Sequence, residues 1–175
     1  MTDPITLLKN AIVLTMDDDY QIFEPGAVAV QGDKIIAVGF ESNLSQAYPD
    51  AEVMDCERKV LMPGLINAHT HVPMTLLRGL ADDLRLDVWL LGYMMPVERE
   101  FVSPDFVQLG TKLACAEMIR SGITSFADMY YFEEDVARAT AASGMRAVMD
   151  DDFARTRGWN IGKKRYYGVV AQRRY

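Results

Sequence analysis

The two histidines of the 175-residue sequence, His69 and His71, lie one residue apart in the segment GLINAHTHVPM, residues 64–74. Side chains alternate along a β-strand, so residues i and i+2 point to the same face. Two neutral imidazoles on one face could bind a divalent metal ion between them. A His-x-His pair alone is also compatible with ordinary core or surface histidines, so the spacing by itself leaves both interpretations open.

The elements around this pair predict where it lies in a fold. LINAH is a short apolar run that indicates a buried strand. Later segments alternate between strand and helix patterns: ITSFADMYY as a strand, EEDVARATAASG as a helix and MRAVM as a strand. This alternation predicts parallel βαβ units. In parallel α/β barrels the chemistry lies at the carboxyl ends of the strands, which is where LINAHTH places the histidines.

A helix is predicted between the strands LINAH and ITSFADMYY. Ser103 is a suitable N-cap before Pro104 and Asp105, and Ser121-Gly122 is a typical helix end. Apolar residues recur at helical spacing within it: Phe106, Leu109, Leu113, Ala116 and Ile119.

Residues 1–63 predict a small β-unit, which we expect to be antiparallel. AVAVQGDKIIAVG contains two strands joined at Gln31-Gly32-Asp33, a short hairpin signal, and DDDYQIFEPG predicts a break before them. A unit of so few short strands buries little surface and needs a partner.

Composition and charge restrict the class of protein. Half of the residues are hydrophobic and a quarter are charged, which is typical of globular domains. The net charge of −7 argues against a general nucleic-acid binder. No apolar run is long enough to predict a membrane span. Cys56 and Cys115 form no CxxC motif and predict free thiols in a reducing compartment, so we expect a cytoplasmic location.

Several motifs in order resemble one known family. The stretch VLMPGLINAHTHVPMTLLRGLADDLRLDVWLLGYMMPVERE resembles the start of the barrel in the amidohydrolase superfamily. It is most similar to the branch of methylthioadenosine/S-adenosylhomocysteine deaminases and related chlorohydrolases. The shared pieces are PG(L/F)(I/V)NxHxH, MTLLRGLADD, and WL followed by P-V-E, and SGITSFADMYY resembles the second barrel strand. The resemblance extends from about residue 5 to about residue 149.

The resemblance implies an α/β fold, a (β/α)8 TIM-type barrel preceded by an N-terminal half β-sandwich. A whole barrel needs eight βα units and about 250 residues. We therefore expect a truncated barrel of the first two to three units over residues 64–149, preceded by the sandwich portion over residues 1–63. Ile66, Ile123 and Phe126 would then expose apolar surface, and the open barrel edges could associate with a second copy or a paralogue.

The resemblance also implies a reaction and a set of binding residues. Family members use a divalent metal, zinc or iron, to activate water for hydrolysis of the exocyclic amine of adenine nucleosides or related heteroaromatic amines. His69 and His71 would be the first two metal ligands, with zinc the first choice. Glu98 would accept hydrogen bonds from ribose hydroxyls, and Trp89 would line the purine pocket. A solvated acid and a core tryptophan are the respective alternatives.

The family's remaining metal ligands and its proton-transferring glutamate have no counterpart in this sequence. We therefore assign no catalytic residue and expect the chain to be inactive alone. A non-catalytic regulatory protein that pairs with a full-length paralogue is an alternative, and so is a split enzyme completed by a second chain. Residues 150–175 predict a basic tail foreign to the fold, and nucleic-acid binding through this tail is a further alternative.

Overall fold

The computed structural model describes residues 3–150 and 166–169. The chain divides into two compact units, Met1–Pro63 and Gly64–Tyr175. The first unit contains β1 (Ile5–Leu14), β2 (Ile22–Gln31), β3 (Lys34–Phe40), α1 (Glu41–Ala47), β4 (Glu52–Asp55) and β5 (Val60–Leu61).

The sheet of the first unit has the order β3-β2-β1-β4, and β5 also pairs with β1. The predicted β2–β3 hairpin is confirmed, with Gly32 in the left-handed region at φ 59°. The expectation of a purely antiparallel unit is wrong, because β4 and β5 run parallel to β1. Helix α1, which the sequence pattern did not predict, carries the chain back before β4, and such a crossover gives parallel pairing.

The predicted break in DDDYQIFEPG is too long. Strand β2 already begins at Ile22, so all of IFEPG belongs to this strand. The register between β1 and β2 shifts between Ala11 and Val13, opposite Glu24 and Pro25. Such an irregularity accommodates a proline, which cannot donate a ladder hydrogen bond.

The second unit is built on a four-stranded sheet of order β6-β7-β8-β9. Its strands are β6 (Leu65–Thr70), β7 (Ile123–Met129), β8 (Arg146–Asp150) and β9 (Tyr166–Val169). Its helical segments are a 3-10 helix (Val72–Leu77), α2 (Leu86–Val88), a π-helical segment (Trp89–Met94), α3 (Met95–Phe101), α4 (Pro104–Arg120) and α5 (Glu133–Ser143). Strands β6, β7 and β8 are parallel, which confirms the predicted βαβ order.

Strand β9 is antiparallel to β8 and comes from the basic segment. The rest of that segment, residues 151–165 and 170–175, lies outside the described residues, so the prediction that the segment is foreign to the fold stays a prediction. No helix within residues 3–150 and 166–169 is long and apolar enough to cross a membrane.

Helix α4 has the predicted ends but buries a different face. Ser103 Oγ accepts a hydrogen bond from Phe106 N at 3.2 Å, and Gly122 follows the helix at φ 77°. Leu109 and Ile119, which are part of the predicted apolar stripe, are 60% and 53% exposed. The buried residues lie beside that stripe because α4 packs against the 3-10 helix, β7 and α5: Val107, Gly110, Thr111, Ala114, Cys115 and Met118.

The core of the second unit forms between the strands and helices α4 and α5. Phe126 is only 2% exposed and belongs to this core, so the expectation that it would be exposed is wrong. Ile123 packs partly buried against the same core. Ile66, by contrast, is 73% exposed, as expected. Alternate residues of a strand face opposite sides, and the side that carries Phe126 is the one that the helices cover.

Gly110 in α4 permits the close approach of this helix to the 3-10 helix. A Cβ at Gly110 would lie 2.6 Å from the carbonyl oxygen of Pro73. We expect Gly110→Ala to lower the free energy of unfolding by about 1–3 kcal/mol, because the clash outweighs alanine's better helix propensity. Gly92→Ala is the matched control, since nothing lies within 4 Å of a Cβ there. Urea unfolding measures both variants, and equal stability of Gly110→Ala and wild type would contradict this close contact.

Candidate metal centre

The two histidines lie side by side at the carboxyl end of β6. His69 is the penultimate residue of the strand and is exposed, and His71 follows the strand and is half-buried. Their ring centroids are 5.1 Å apart, and the ring planes make an angle of 78°. The predicted juxtaposition of the two imidazoles is therefore present in the fold.

A backbone carbonyl orients the His71 ring. His71 Nδ1 lies 2.6 Å from the carbonyl oxygen of Met129, at the end of β7. A carbonyl oxygen can only accept a hydrogen bond, so Nδ1 must carry the proton and donate it. This tautomer leaves the lone pair of Nε2 available for a metal ion, which is the usual arrangement of a metal-binding histidine.

The residues next to His71 are held by the end of β7 as well. Thr70 Oγ1 lies 2.7 Å from Ala127 O and 2.8 Å from Asp128 Oδ1, so these two acceptors share its single hydroxyl hydrogen. The backbone N–H of Val72 donates to the same Asp128 Oδ1 at 2.8 Å. Three consecutive residues of β7 therefore contact the segment that contains His71.

Asp128 has a buried carboxyl group in which one oxygen accepts hydrogen bonds and the other does not. The residue is 4% exposed, and its Oδ2 has no hydrogen-bond partner in the described part of the chain. Burial raises the pKa of Asp128 above its ordinary value, and the bonds from Val72 N–H and the Thr70 hydroxyl oppose this shift in part. The Asp128 side chain is therefore part of the packed structure next to the histidines and does not face open solvent.

Glu98 is linked to His71 through Tyr130. Glu98, on α3, is 6% exposed, so it is not a solvated surface acid. The Tyr130 hydroxyl donates to Glu98 Oε1 at 2.8 Å, and the Tyr130 ring centroid lies 6.3 Å from that of His71. Burial, together with the Glu98 carboxylate, raises the pKa of Tyr130, so the phenol stays protonated and donates.

Trp89 forms no ring contact or hydrogen bond with the histidines, Glu98 or Tyr130 in the described part of the chain. It is half-buried at the first position of the π-helical segment. No ring contact or hydrogen bond within the described residues links its side chain to Glu98 or to either histidine. The structure therefore places His69 beside His71 and Glu98 beside Tyr130, whose ring neighbours His71, and leaves Trp89 outside these contacts.

Sequence reasoning did not single out Tyr130 or the carbonyl of Met129. Both follow the apolar part of β7 in the stretch ADMYY, directly after Asp128. A polar or aromatic residue at the carboxyl end of a parallel strand is the signal that could have identified Tyr130. A backbone carbonyl leaves no such signal in a sequence.

The donor set fits a metal ion in part. Two imidazoles suit zinc, which in catalytic sites usually has three protein ligands. Within residues 3–150 and 166–169, no group of three His, Cys, Asp or Glu side chains could hold a metal ion. Cys56 and Cys115 are both free.

Comparison with known proteins identifies relatives of this chain. The model of the amidohydrolase family matches residues 60–156. A 5-methylthioadenosine/S-adenosylhomocysteine deaminase of Syntrophobacter fumaroxidans is 52% identical over 145 residues, which cover 83% of this chain and 33% of the relative. A 5'-deoxyadenosine deaminase of Methanosarcina mazei is 48% identical over 157 residues, or 90% of this chain and 35% of the relative.

A solved structure has the same fold over most of the chain. It is an adenosine deaminase from Xanthomonas campestris with bound zinc, 36% identical, with a TM-score of 0.69. The match covers 83% of this chain and 33% of the solved one. The chain thus spans about a third of the length of the relatives it matches. Since the family match covers more than half of the 175 residues and agrees with the α/β fold and the motif around the two histidines, the chain belongs to the amidohydrolase family.

Proposed function

We propose that this chain carries the first part of a metal-dependent deaminase site for adenine nucleosides. The observation that supports this most directly is the His pair at the end of β6, with the His71 tautomer set by Met129 O and the two rings 5.1 Å apart. The names of the relatives are consistent with this proposal, since they describe deaminases of adenosine-type compounds and one structure with bound zinc.

His69 and His71 would hold a divalent metal ion, with zinc the first choice and iron the alternative. When bound, zinc lowers the pKa of a water molecule and so supplies a nucleophile near neutral pH. The His71 ring would already be oriented for metal binding, because its Nδ1–H donates to the carbonyl oxygen of Met129. His69 is exposed and would keep the site open to solvent and substrate.

Glu98 would bind the ribose of the nucleoside. A carboxylate accepts two hydrogen bonds from a vicinal diol, and Tyr130 occupies only one position on Oε1. Tyr130 would therefore fix the carboxylate while Oε2 remains for substrate. Trp89 would contribute an aromatic wall for the purine, a role that its half-buried side chain permits.

We further propose that the 175 residues bind ligands but do not turn over substrate by themselves. The sequence contains two histidines, and no third metal-binding side chain joins them within the described residues. An open zinc site with two protein ligands is weak. We likewise propose that the chain folds as the first two to three units of a (β/α)8 barrel, preceded by part of a β-sandwich. The proposed partner is a small-molecule nucleoside.

Glu98→Gln tests the assignment of the substrate class. We expect this variant to bind adenosine about tenfold more weakly than the wild-type chain in the presence of zinc, because an amide replaces one charged acceptor of the diol. Binding of 2',3'-dideoxyadenosine, which lacks the diol, should change little. Calorimetric titration measures both ligands, and ammonia release in the same samples should stay at background.

Glu100→Gln is the matched control, since Glu100 is an exposed acid two residues further along the chain. It should bind both nucleosides as the wild type does. A wild-type chain that binds adenosine and its dideoxy analogue equally well, or neither, would contradict the proposed ribose contact.

A further inference from the structure

We infer that Asp128 is a positioning residue for the metal-binding histidines, and that it acts through the residues on both sides of His71. This inference rests on the proposed metal site and extends it. Asp128 does not bond to either imidazole. Its Oδ1 instead accepts hydrogen bonds from the Thr70 hydroxyl and from the Val72 backbone N–H, at 2.8 Å in both cases.

The strand pairing explains why such a contact is needed. Strand β6 is the first strand of its sheet and pairs only with β7 within the described residues. The register between the two strands shifts between Asn67 and Thr70, the interval that contains His69. The ordinary backbone ladder is therefore interrupted at His69, just before the segment that carries His71.

The Asp128 side chain makes two hydrogen bonds just beyond this interruption, to the Thr70 side chain and to the backbone of Val72. Thr70 lies between the two histidines and Val72 directly follows them, so fixing both residues fixes the backbone that carries His71. Met129 then holds the His71 ring itself. Because Asp128 is almost fully buried, water does not compete with these hydrogen bonds, and the segment keeps one conformation.

Zinc titration of Asp128→Ala tests the inference without any activity assay. We expect this variant to bind zinc about 10–100-fold more weakly than the wild-type chain, the range typical for partners that orient metal ligands. Asp128→Asn retains an oxygen that can accept from Thr70 and Val72, so it should recover most of the affinity. The measurement is competition with a chromophoric chelator, with folding checked by circular dichroism.

Asp135→Ala is the control for a purely structural effect. Asp135 is also a buried carboxylate of the second unit, but it bonds Gln108 and Arg138 on the helices. Its loss should lower stability without changing zinc affinity. Nitrogen NMR of the imidazoles gives a second readout, since Asp128→Ala, but not Asp135→Ala, should reduce the population of the His71 tautomer with the proton on Nδ1.

The outcomes separate this inference from the proposed function. If the wild-type chain binds zinc and a folded Asp128→Ala variant binds it equally well, the positioning role is refuted and the metal site stands. If the wild-type chain binds no zinc, the metal site falls and the inference with it. Should Asp128→Ala not fold, Thr70→Val decides: a loss of up to about tenfold is expected from one hydrogen bond, and unchanged affinity overturns the inference.

Discussion

Replacing either histidine with alanine is expected to abolish measurable zinc binding by this chain. Structural sites with four protein ligands bind zinc with a binding free energy of about 10–16 kcal/mol, so one ligand contributes roughly 2.5–4 kcal/mol of this free energy. His69→Ala and His71→Ala should therefore each weaken zinc binding by about 100-fold or more. Competition titration against a chelator at constant pH measures the loss.

The two histidine variants should differ in their effect on stability. His71 is half-buried and its Nδ1 donates to Met129 O, so His71→Ala should also lower the free energy of unfolding by about 1 kcal/mol. His69 is exposed, and its alanine variant should unfold like the wild type. Cys56→Ser controls for binding by a partly exposed thiol and should leave zinc affinity unchanged. Zinc bound with wild-type affinity by His69→Ala would rule out the His pair as the site.

Phe126→Ala is expected to have the largest effect on stability. Phe126 is 2% exposed and lies in the core between β7 and helices α4 and α5. Truncating a buried phenylalanine removes its apolar burial and leaves a cavity, which typically costs about 3–5 kcal/mol. Urea unfolding followed by circular dichroism measures the difference.

Ile66→Ala is the matched control for this prediction. Ile66 is also an apolar strand residue of the second unit, but it is 73% exposed. Its truncation should change the free energy of unfolding by no more than about 0.5 kcal/mol. Equal losses for Phe126→Ala and Ile66→Ala would show that the chain in solution covers Ile66, or leaves Phe126 uncovered.

Local patterns in the sequence predicted much of the second unit correctly. The N-cap at Ser103, the glycine after α4 and the alternation of strands and helices all depend on residues close to each other in the chain. The juxtaposition of His69 and His71 is also local, because the two residues are two positions apart, although His71 follows the strand and does not belong to it.

Non-local packing decided the features that were predicted wrongly. The sequence pattern marked Leu109 and Ile119 as an apolar face of α4, but the neighbouring elements bury the face that contains Val107 and Cys115. Periodicity shows that a helix has faces and does not show which neighbour covers which face. The direction of β4 likewise depended on α1, whose sequence carries no strong helix signal.

By itself, the sequence determined the family, the βαβ order and the pair of imidazoles at the end of a strand. Only the tertiary structure decided what surrounds that pair: Met129 O sets the tautomer of His71, Asp128 holds Thr70 and Val72, and Tyr130 lies between Glu98 and His71. The physical reason is chain distance. The hydrogen-bonded partners are 32 to 58 residues apart in sequence, and their contacts form only when β6, β7 and α3 are brought together by folding.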